Sequence, residues 1–449
     1  MGLATYVSCS HIFLSVFKYF DYNYRFLLEF IENITMDVLV LLAIAYTYKN
    51  RADKSIVKKY FSVEQLLLSS VFLFLLISSG ISALKYGWDD FASNKVYLDD
   101  LFVCAFIIFP WGKHLVKATN KMKSVLRCLT ELSLLGISGV MVWILVAAFR
   151  SEVLSTFFGS AIGMLEFNGT LQLSINCHPN TVGAYAGLIL CICIYFFVNS
   201  RGIRRYVYFV ECLIHFLTLA LSNSRGSFLS FLCVSAVMTG LTIYYLLAKA
   251  DLKKRWIAAC IGAVAVVAVL IFARNSIFTI YDSVKQTNSV VDVEQYEEVI
   301  RDLNITSFTG RPIIWKGALK IIFGGVSEFL FGITPYHIAG EIQRLINSEI
   351  GFYTHNQILE VASDVGVPAC ILFLAFLWRL AVVCYKKGTA LSEGDQWKKK
   401  FLPIIILFLV IANVMEATLL FYGYLSGCVF MLLSGMIIER NDASERVKG

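Results

Sequence analysis

Residues 206–248 read YVYFVECLIHFLTLALSNSRGSFLSFLCVSAVMTGLTIYYLLA, and this stretch decides the class of fold. It holds two apolar runs, Tyr206–Leu221 and Phe228–Ala248, separated by a short polar turn that contains Arg225. An apolar run of about twenty residues is long enough to cross a bilayer as a helix. The stretch therefore predicts two membrane-spanning helices joined by a tight turn.

The same pattern recurs along the whole chain. Of its 449 residues 58% are hydrophobic and only 16% are charged, which excludes a soluble globular protein. We predict an all-α, polytopic membrane helix bundle of 11–12 transmembrane helices with a large, partly helical extracytoplasmic loop. The predicted spans are 27–48, 63–84, 97–116, 128–149, 180–199, 206–222, 227–248, 256–273, 357–384, 402–421 and 422–438, and 4–20 would be a twelfth.

The basic residues predict the orientation of these spans. Alternate connections and the C-terminal tail hold most of the 39 Lys and Arg residues, and cytoplasmic loops are the ones rich in these residues. The basic connections are 49–59, 113–127, 201–205, 249–255 and 386–400. We therefore expect a multi-pass protein of the cytoplasmic (inner) membrane, surrounded by membrane lipids. The net charge of +7 reports this topology and gives no reason to expect nucleic acid as a partner.

One long connection on the outer side looks structured. We divide the chain into an N-terminal transmembrane bundle (1–273), an extracytoplasmic loop (274–354), and C-terminal transmembrane helices with a short tail (355–449). Within the loop, DVEQYEEVIRDLN (292–304) and TGRPIIWKGALKIIFGG (309–325) have apolar residues at helical spacing. The second helix should start near Pro312, stop at Gly324-Gly325 and present an apolar face to the membrane surface or the bundle rim. Its predicted apolar residues are Ile314, Trp315, Ala318, Leu319 and Ile322.

Three polar residues on the predicted outer side need an explanation. Arg225 lies where two spans meet, without an acidic residue in the ten positions that follow it; an interfacial arginine that snorkels to water is the alternative. Arg311 lies at the start of a loop helix, where an anion would find unpaired backbone N–H groups, although a solvated charge explains it too. His355 follows Thr354, which forms a capping box with Gln357, so we expect His355 to be the first residue of the next spanning helix.

Further polar residues accompany these three. Asn356, Glu360 and Asp364 recur every four residues and predict a polar stripe that enters the bundle from outside. Asn180, after His178 and Pro179, should cap the start of another span. The remaining candidates are Glu416 near the outer end of its span, Arg301 in the outer loop, and Glu211 with His215, which we expect to form a buried pair.

Two arginines and a histidine on one side of the membrane fit the binding of an anion beside a general base. No acidic cluster for a metal accompanies them, and the twelve cysteines show no zinc-ligand spacing. We therefore expect neither a metal nor a cofactor. A pyrophosphate group held by arginines is the simplest interpretation.

Three segments resemble the signature segments of the O-antigen ligase and O-antigen polymerase superfamily. They are SNSRGSFLSFL from 222, TGRPIIWKGALKII from 309 and THNQILEVASDVGVP from 354, and the resemblance covers roughly residues 178–440. It implies an integral-membrane glycosyltransferase that uses an undecaprenyl-pyrophosphate-linked glycan as donor. It further implies that Arg225 and Arg311 hold the pyrophosphate, and that His355 activates the acceptor hydroxyl without a metal and with inversion at the anomeric carbon.

The resemblance leaves two enzymatic roles open. A ligase would transfer a finished chain to a glycan, a lipid core or a protein, whereas a polymerase would extend lipid-linked repeat units; we favour ligase-type transfer. For His355, pyrophosphate binding or orientation of the acceptor is the alternative to the role of base. A transporter with intramembrane Glu211, His215 and Glu360 is the competing class. It should have paired halves or broken helices at matching positions, and the sequence contains neither.

Overall fold

The computed structural model describes residues 62–116, 120–149, 154–155, 161–167, 170–175, 179–247, 250–284, 311–348, 353–389, 401–421 and 425–446. The spans predicted at 4–20 and 27–48, and the loop helix predicted at 292–304, lie outside these residues. In chain order the elements are α1 (Val63–Tyr86), α2 (Trp88–Phe102), a π-helical turn (Val103–Ile108), α3 (Phe109–Val116), α4 (Asn120–Phe149), β1 (Leu154–Ser155), β2 (Ala161–Phe167), β3 (Thr170–Ile175), α5 (Pro179–Asn199), α6 (Ile203–Leu221), α7 (Arg225–Leu246), α8 (Leu252–Val284), α9 (Arg311–Ile322), α10 (Val326–Phe331), α11 (Pro335–Ile346), α12 (Gln357–Asp364), α13 (Val367–Thr389), α14 (Phe401–Ala412) and α15 (Leu425–Arg446).

The helices confirm the predicted class, an all-α polytopic membrane bundle. Among the described residues six helices are long and apolar enough to cross a membrane, and shorter apolar helices occupy Pro403–Ala412 and Leu425–Glu439. The six are Val63–Tyr86, Arg127–Val146, Asn180–Asn199, Arg225–Leu246, Leu252–Ile280 and Val367–Tyr385. A small antiparallel sheet in the order β1-β2-β3 was not predicted; in it Ile162 pairs with Ile175 and Phe167 with Thr170.

The chain forms two compact units. The first contains the described residues within 1–118, 298–389 and 413–449, and the second those within 119–297 and 390–412. The three-part division of the sequence analysis follows chain order and stays a prediction.

In the first unit two glycines bring helices α3 and α15 into backbone contact. A Cβ on Gly112 would lie 2.2 Å from the carbonyl oxygen of Leu432, and one on Gly435 would lie 2.1 Å from that of Phe109. Larger residues would therefore push the two helices apart. The resulting core includes Phe376, whose ring contacts Phe109 and Phe430 edge-on.

In the second unit α7 and α8 form an antiparallel hairpin. At one end Trp256 packs on Tyr244, and Gly262 lies against the side chain of the neighbouring Ile243. At the other end the guanidinium of Arg274 lies 5.1 Å from the ring centre of Phe228. The hairpin therefore brings the C-terminal part of α8 back beside the first turn of α7.

Two predicted spans are wrong in their extent. The span predicted at 357–384 is interrupted between α12 and α13 at Gly366, which has φ +97° and whose Cβ would lie 2.3 Å from the carbonyl oxygen of Leu330. The span predicted at 402–421 ends as a helix at Ala412, and residues 413–421 form an irregular turn. Residues 413–421 are rich in apolar side chains, which favoured the prediction of a helix. Their conformation instead depends on bonds to side chains of other segments.

Helix α9 confirms the predicted loop helix, with a slightly different apolar face. Ile314, Ala318 and Ile322 are buried as expected, but Leu319 is 44% exposed and Ile321 is buried in its place. The buried face packs on α11 through Ile338 and Ile342.

Candidate functional site

The turn around Arg225 has the predicted form. Helix α6 ends at Leu221 and α7 begins at Arg225, with Asn223 in the left-handed region at φ +51°. Asparagine is among the residues that tolerate this conformation best. Ser224 is the N-cap residue of α7, and its side chain does not cap the helix. Unpaired N–H groups of the first turn therefore contribute positive potential beside Arg225.

Packing makes this turn rigid. The Ser224 hydroxyl donates to Ser227 Oγ at 2.9 Å, and the Ser222 hydroxyl donates to the carbonyl of Leu219 at 2.8 Å. A Cβ on Gly183 of α5 would lie 2.4 Å from the Cβ of Ser224, so α5 approaches the turn closely. These contacts hold the backbone of the turn, and with it the backbone of Arg225, in place.

Arg225 is exposed and, within the described part of the chain, has neither a hydrogen bond nor an ion pair. A second arginine, Arg274 of α8, lies near this turn and was not among the predicted site residues. Arg274 Nη2 donates a short hydrogen bond to Asn223 Oδ1, and its guanidinium lies 5.1 Å from the ring centres of both Phe228 and Phe278. Arg274 follows directly after the apolar run 256–273, and counting residues along a helical hairpin could have placed it opposite Asn223.

The second group of candidate residues lies in the first unit and centres on His355. His355 is not the first residue of a helix, as predicted, because it adopts φ +50° and α12 begins at Gln357. The N-cap is Asn356, whose Oδ1 accepts from the backbone N–H groups of Ile358 and Leu359, each at 3.0 Å. The left-handed backbone at His355 turns the chain into the helix, and such a conformation persists only when its surroundings enforce it.

Hydrogen bonds to the turn that follows α14 help to stabilise this backbone conformation. Gln357 N donates to the carbonyl of Asn413, and Asn356 Nδ2 donates to the carbonyl of Val414, both at 2.9 Å. In return, Leu419 N donates to Gln357 Oε1 at 2.8 Å. These bonds place residue 416 next to His355.

Glu416 joins the two residues that the sequence analysis treated as an anion ligand and a base. Its Oε1 accepts a hydrogen bond from Arg311 Nη2 at 2.8 Å, and its Oε2 lies 3.1 Å from His355 Nδ1. The side chains of Arg311 and Glu416 are each 8% exposed, whereas that of His355 is 30% exposed. The result is a buried ion pair with an imidazole at its more accessible edge.

The environment of His355 sets its protonation. Burial lowers the pKa of His355, but the charge of Glu416 and its hydrogen bond raise it, and the net shift of the pKa is upward. In the neutral ring, the Glu416 contact favours the tautomer in which Nδ1 carries the proton, so Nε2 is the proton acceptor. This arrangement can orient a general base and stabilise its charged form.

Glu360 supports the residue that precedes His355. The backbone N–H of Thr354 donates to Glu360 Oε2 at 2.9 Å, and the Thr354 hydroxyl makes a further short bond to the same oxygen. Trp315 Nε1 of α9 donates to the carbonyl of Thr354 at 2.9 Å. Of the predicted polar stripe, Asn356 caps the helix, Glu360 holds Thr354, and Asp364 is fully buried at the end of α12.

Other candidates do not join this group. Asn180 is within the first turn of α5, which begins at Pro179, so it is not the predicted N-cap residue. His178 and Arg301 lie outside the described residues. The predicted pairing of Glu211 with His215 is wrong, because His215 Nε2 lies 3.0 Å from Ser138 Oγ and Glu211 Oε2 accepts from Cys193 Sγ at 3.6 Å.

Metal-ligating residues are not clustered in the part of the chain that the structure describes: no three or more His, Cys, Asp or Glu side chains are placed to hold an ion.

Comparison with known proteins supports the resemblance that the three sequence segments carry. Residues 210–374 match the protein-family model described as O-antigen ligase. The match includes Arg225, Arg274, Arg311 and His355, whereas Glu416 lies beyond it. Among functionally curated proteins, none matches the chain significantly.

Proposed function

We propose that the protein is a ligase-type glycosyltransferase of cell-surface polysaccharide synthesis, because residues 210–374 match the protein-family model described as O-antigen ligase. Its donor would be a glycan on undecaprenyl pyrophosphate, and its acceptor a hydroxyl of a glycan, a lipid core or a protein. The observation that carries this proposal is the Glu416 carboxylate, which contacts both Arg311 and His355. An oriented base and a nearby cation are what displacement of a pyrophosphate by a hydroxyl requires.

In the proposed reaction the acceptor oxygen forms a bond to the anomeric carbon while the bond from that carbon to the pyrophosphate oxygen breaks. His355 Nε2 takes the hydroxyl proton, and undecaprenyl pyrophosphate leaves with the bonding electrons. A single displacement of this kind inverts the anomeric carbon. Glu416 would stabilise the imidazolium that forms, as an acidic partner does for a catalytic histidine in hydrolases.

The arginines have separate parts in this proposal. Arg225 offers an exposed guanidinium at a helix start, and its surroundings among the described residues hold no carboxylate paired to it. Arg311 has one N–H group committed to Glu416, and a guanidinium has five in all. Both can stabilise charge on the leaving pyrophosphate. A reaction that relies on arginines for this charge should proceed in a chelator.

The distribution of Lys and Arg supports an orientation in the cytoplasmic membrane with the site on the extracytoplasmic side. A cysteine introduced near residue 290 should then react with an impermeant maleimide added to intact cells, and one near residue 394 should not. The opposite labelling pattern would refute the proposed orientation.

The test is transfer by the purified protein in lipid nanodiscs, with an undecaprenyl-pyrophosphate-linked oligosaccharide and a separate acceptor, in the presence of a chelator. One oligosaccharide joined to the acceptor, with inverted anomeric configuration, supports the ligase role. A ladder of repeat units on the lipid carrier would indicate a polymerase. Movement of the lipid-linked glycan across proteoliposomes without any transfer would indicate a transporter and refute the proposal.

A further inference from the structure

Arg274 and Arg225 form a pair of like charges at one end of the second unit. Arg274 hydrogen-bonds to Asn223, two positions before Arg225, and its guanidinium lies 5.1 Å from the ring centre of Phe228, three positions after Arg225. Neither arginine has an ion pair among the described residues. Two neighbouring guanidinium groups without a carboxylate repel each other, and this repulsion is relieved when an anion binds between them.

Arg274 is held in place without being neutralised. Asn223 Oδ1 accepts from Nη2, and the rings of Phe228 and Phe278 lie beside the guanidinium. The contacts are with an amide and two aromatic rings, so the full positive charge remains. In addition, the buried Nε of Arg274 has no hydrogen-bond partner within the described part of the chain. A buried donor without a partner is costly, so this atom calls for an acceptor that the described protein does not supply.

The local backbone also favours an anion. Arg225 opens α7, a helix of 22 residues, and the side chain of its N-cap residue, Ser224, does not cap the first turn. Two guanidinium groups, each able to make two parallel bonds, suit a group with oxygens on two linked phosphorus atoms better than a single carboxylate.

We infer that Arg274 and Arg225 together bind the diphosphate of the lipid-linked donor, which makes Arg274 a binding residue that the family's signature segments do not contain. The inference rests on the proposed function for the identity of the donor, and on the contacts of Arg274 for the site itself. Asn223 is then a positioning residue, because its Oδ1 accepts the hydrogen bond that orients Arg274.

Binding of undecaprenyl pyrophosphate to the full chain in zwitterionic nanodiscs tests the site directly. We expect Arg274→Gln and Arg225→Gln each to weaken binding about 10- to 100-fold, the range for loss of one set of charge-assisted bonds. Arg274→Lys keeps the charge but lacks the planar fork, so its affinity should lie between those of wild type and Arg274→Gln. This intermediate variant also provides a readout if Arg274→Gln folds poorly.

Arg255→Gln is the matched control, since Arg255 belongs to the same helix, lies 3.9 Å from the ring centre of Tyr244 and is at the opposite end of the hairpin. It should bind as wild type. Equal affinity of Arg274→Gln and wild type, or equal weakening by Arg255→Gln, would overturn the inference.

Two further arms separate the ligand class from the activity. If phosphatidylglycerol in the nanodisc displaces undecaprenyl pyrophosphate, the site serves phospholipid headgroups and the diphosphate assignment is wrong. Arginine-dependent binding by a protein that transfers no glycan would contradict the proposed function and leave the site intact. If the protein transfers glycan and Arg274→Gln leaves the KM for the donor unchanged, the proposed function stands and the proposed role of Arg274 is wrong.

Discussion

The carboxylate of Glu416 lies 3.1 Å from Nδ1 of His355, although 60 residues separate the two in sequence and the turn that carries Glu416 was expected to be a helix. The same carboxylate holds Arg311 at 2.8 Å. The charge of Arg311 is therefore balanced locally, whereas Arg225 and Arg274 remain unbalanced among the described residues. We therefore propose that the group of Glu416, His355 and Arg311 handles a proton, and that Arg225 and Arg274 bind an anion.

Glu416→Gln should change the pH dependence of transfer. Glu416 raises the pKa of His355, and a base must be neutral, so wild-type transfer should rise with pH as His355 loses its proton above its usual range. Without the carboxylate charge the pKa of His355 falls, and the rise moves to lower pH. The limiting rate should fall roughly tenfold or more, because the imidazolium loses its stabilising partner. Initial rates from pH 5 to 9 measure both effects.

Glu341→Gln is the matched control, since Glu341 pairs with the exposed Arg344 in the same unit. Its pH profile should match that of wild type. An unshifted profile in Glu416→Gln would show that His355 does not act as the base.

Transfer should rise with pH, whereas the stability that His355 contributes should fall as pH rises. A histidine with a raised pKa in the folded protein contributes stability below its unfolded pKa, and loses it as pH rises through the folded pKa. His355→Gln should therefore lower the apparent melting temperature more at pH 6 than at pH 8.5. Thermal unfolding in detergent measures this difference, and an equal decrease at both values would show that protonation of His355 does not contribute.

Glu360 should affect transfer through the loop before His355. Glu360→Ala leaves the Thr354 N–H without its acceptor, so the left-handed backbone at His355 is less well enforced. We expect kcat to fall about tenfold or more with little change in the KM of the donor. Glu360→Gln keeps an acceptor oxygen and should retain most of the activity. If Glu360→Gln loses as much activity as Glu360→Ala, the carboxylate charge matters and the positioning role is wrong.

Gly366 should be required for the break between α12 and α13. Alanine there would have to adopt φ +97°, with its Cβ 2.3 Å from the carbonyl oxygen of Leu330. We expect a loss of about 2 kcal/mol or more in stability. Gly340→Ala in α11 is the control, because no described atom from outside its own stretch of helix lies within 4 Å of the added Cβ and alanine favours the helix. Equal melting temperatures for the two variants would contradict this account.

The sequence predicted the elements that depend on local pattern. Apolar runs located the long helices, and the polar residues between two of them predicted the tight turn at Arg225, although α7 begins two residues earlier than predicted. The pattern failed where other segments decide the conformation: after Ala412 the chain stays rich in apolar residues, but backbone and side-chain bonds to Asn356 and Gln357 hold it in a turn. For this reason the contact of Glu416 with His355 could not be read from spacing. The position of Arg274 could have been predicted, because the lengths of the two helices alone bring it opposite Asn223.

A double-mutant cycle on Arg311 and Glu416 should separate their structural pairing from a direct role in transfer. Each single change to glutamine leaves a buried charge without its partner, so each should lower the apparent melting temperature markedly. The double variant removes both charges and should recover much of this stability, with a coupling of about 1 kcal/mol or more. Transfer should stay low in the double variant, because the Arg311 guanidinium and the carboxylate partner of His355 are both missing. Recovery of transfer together with stability would show that the Arg311–Glu416 pair serves only the fold.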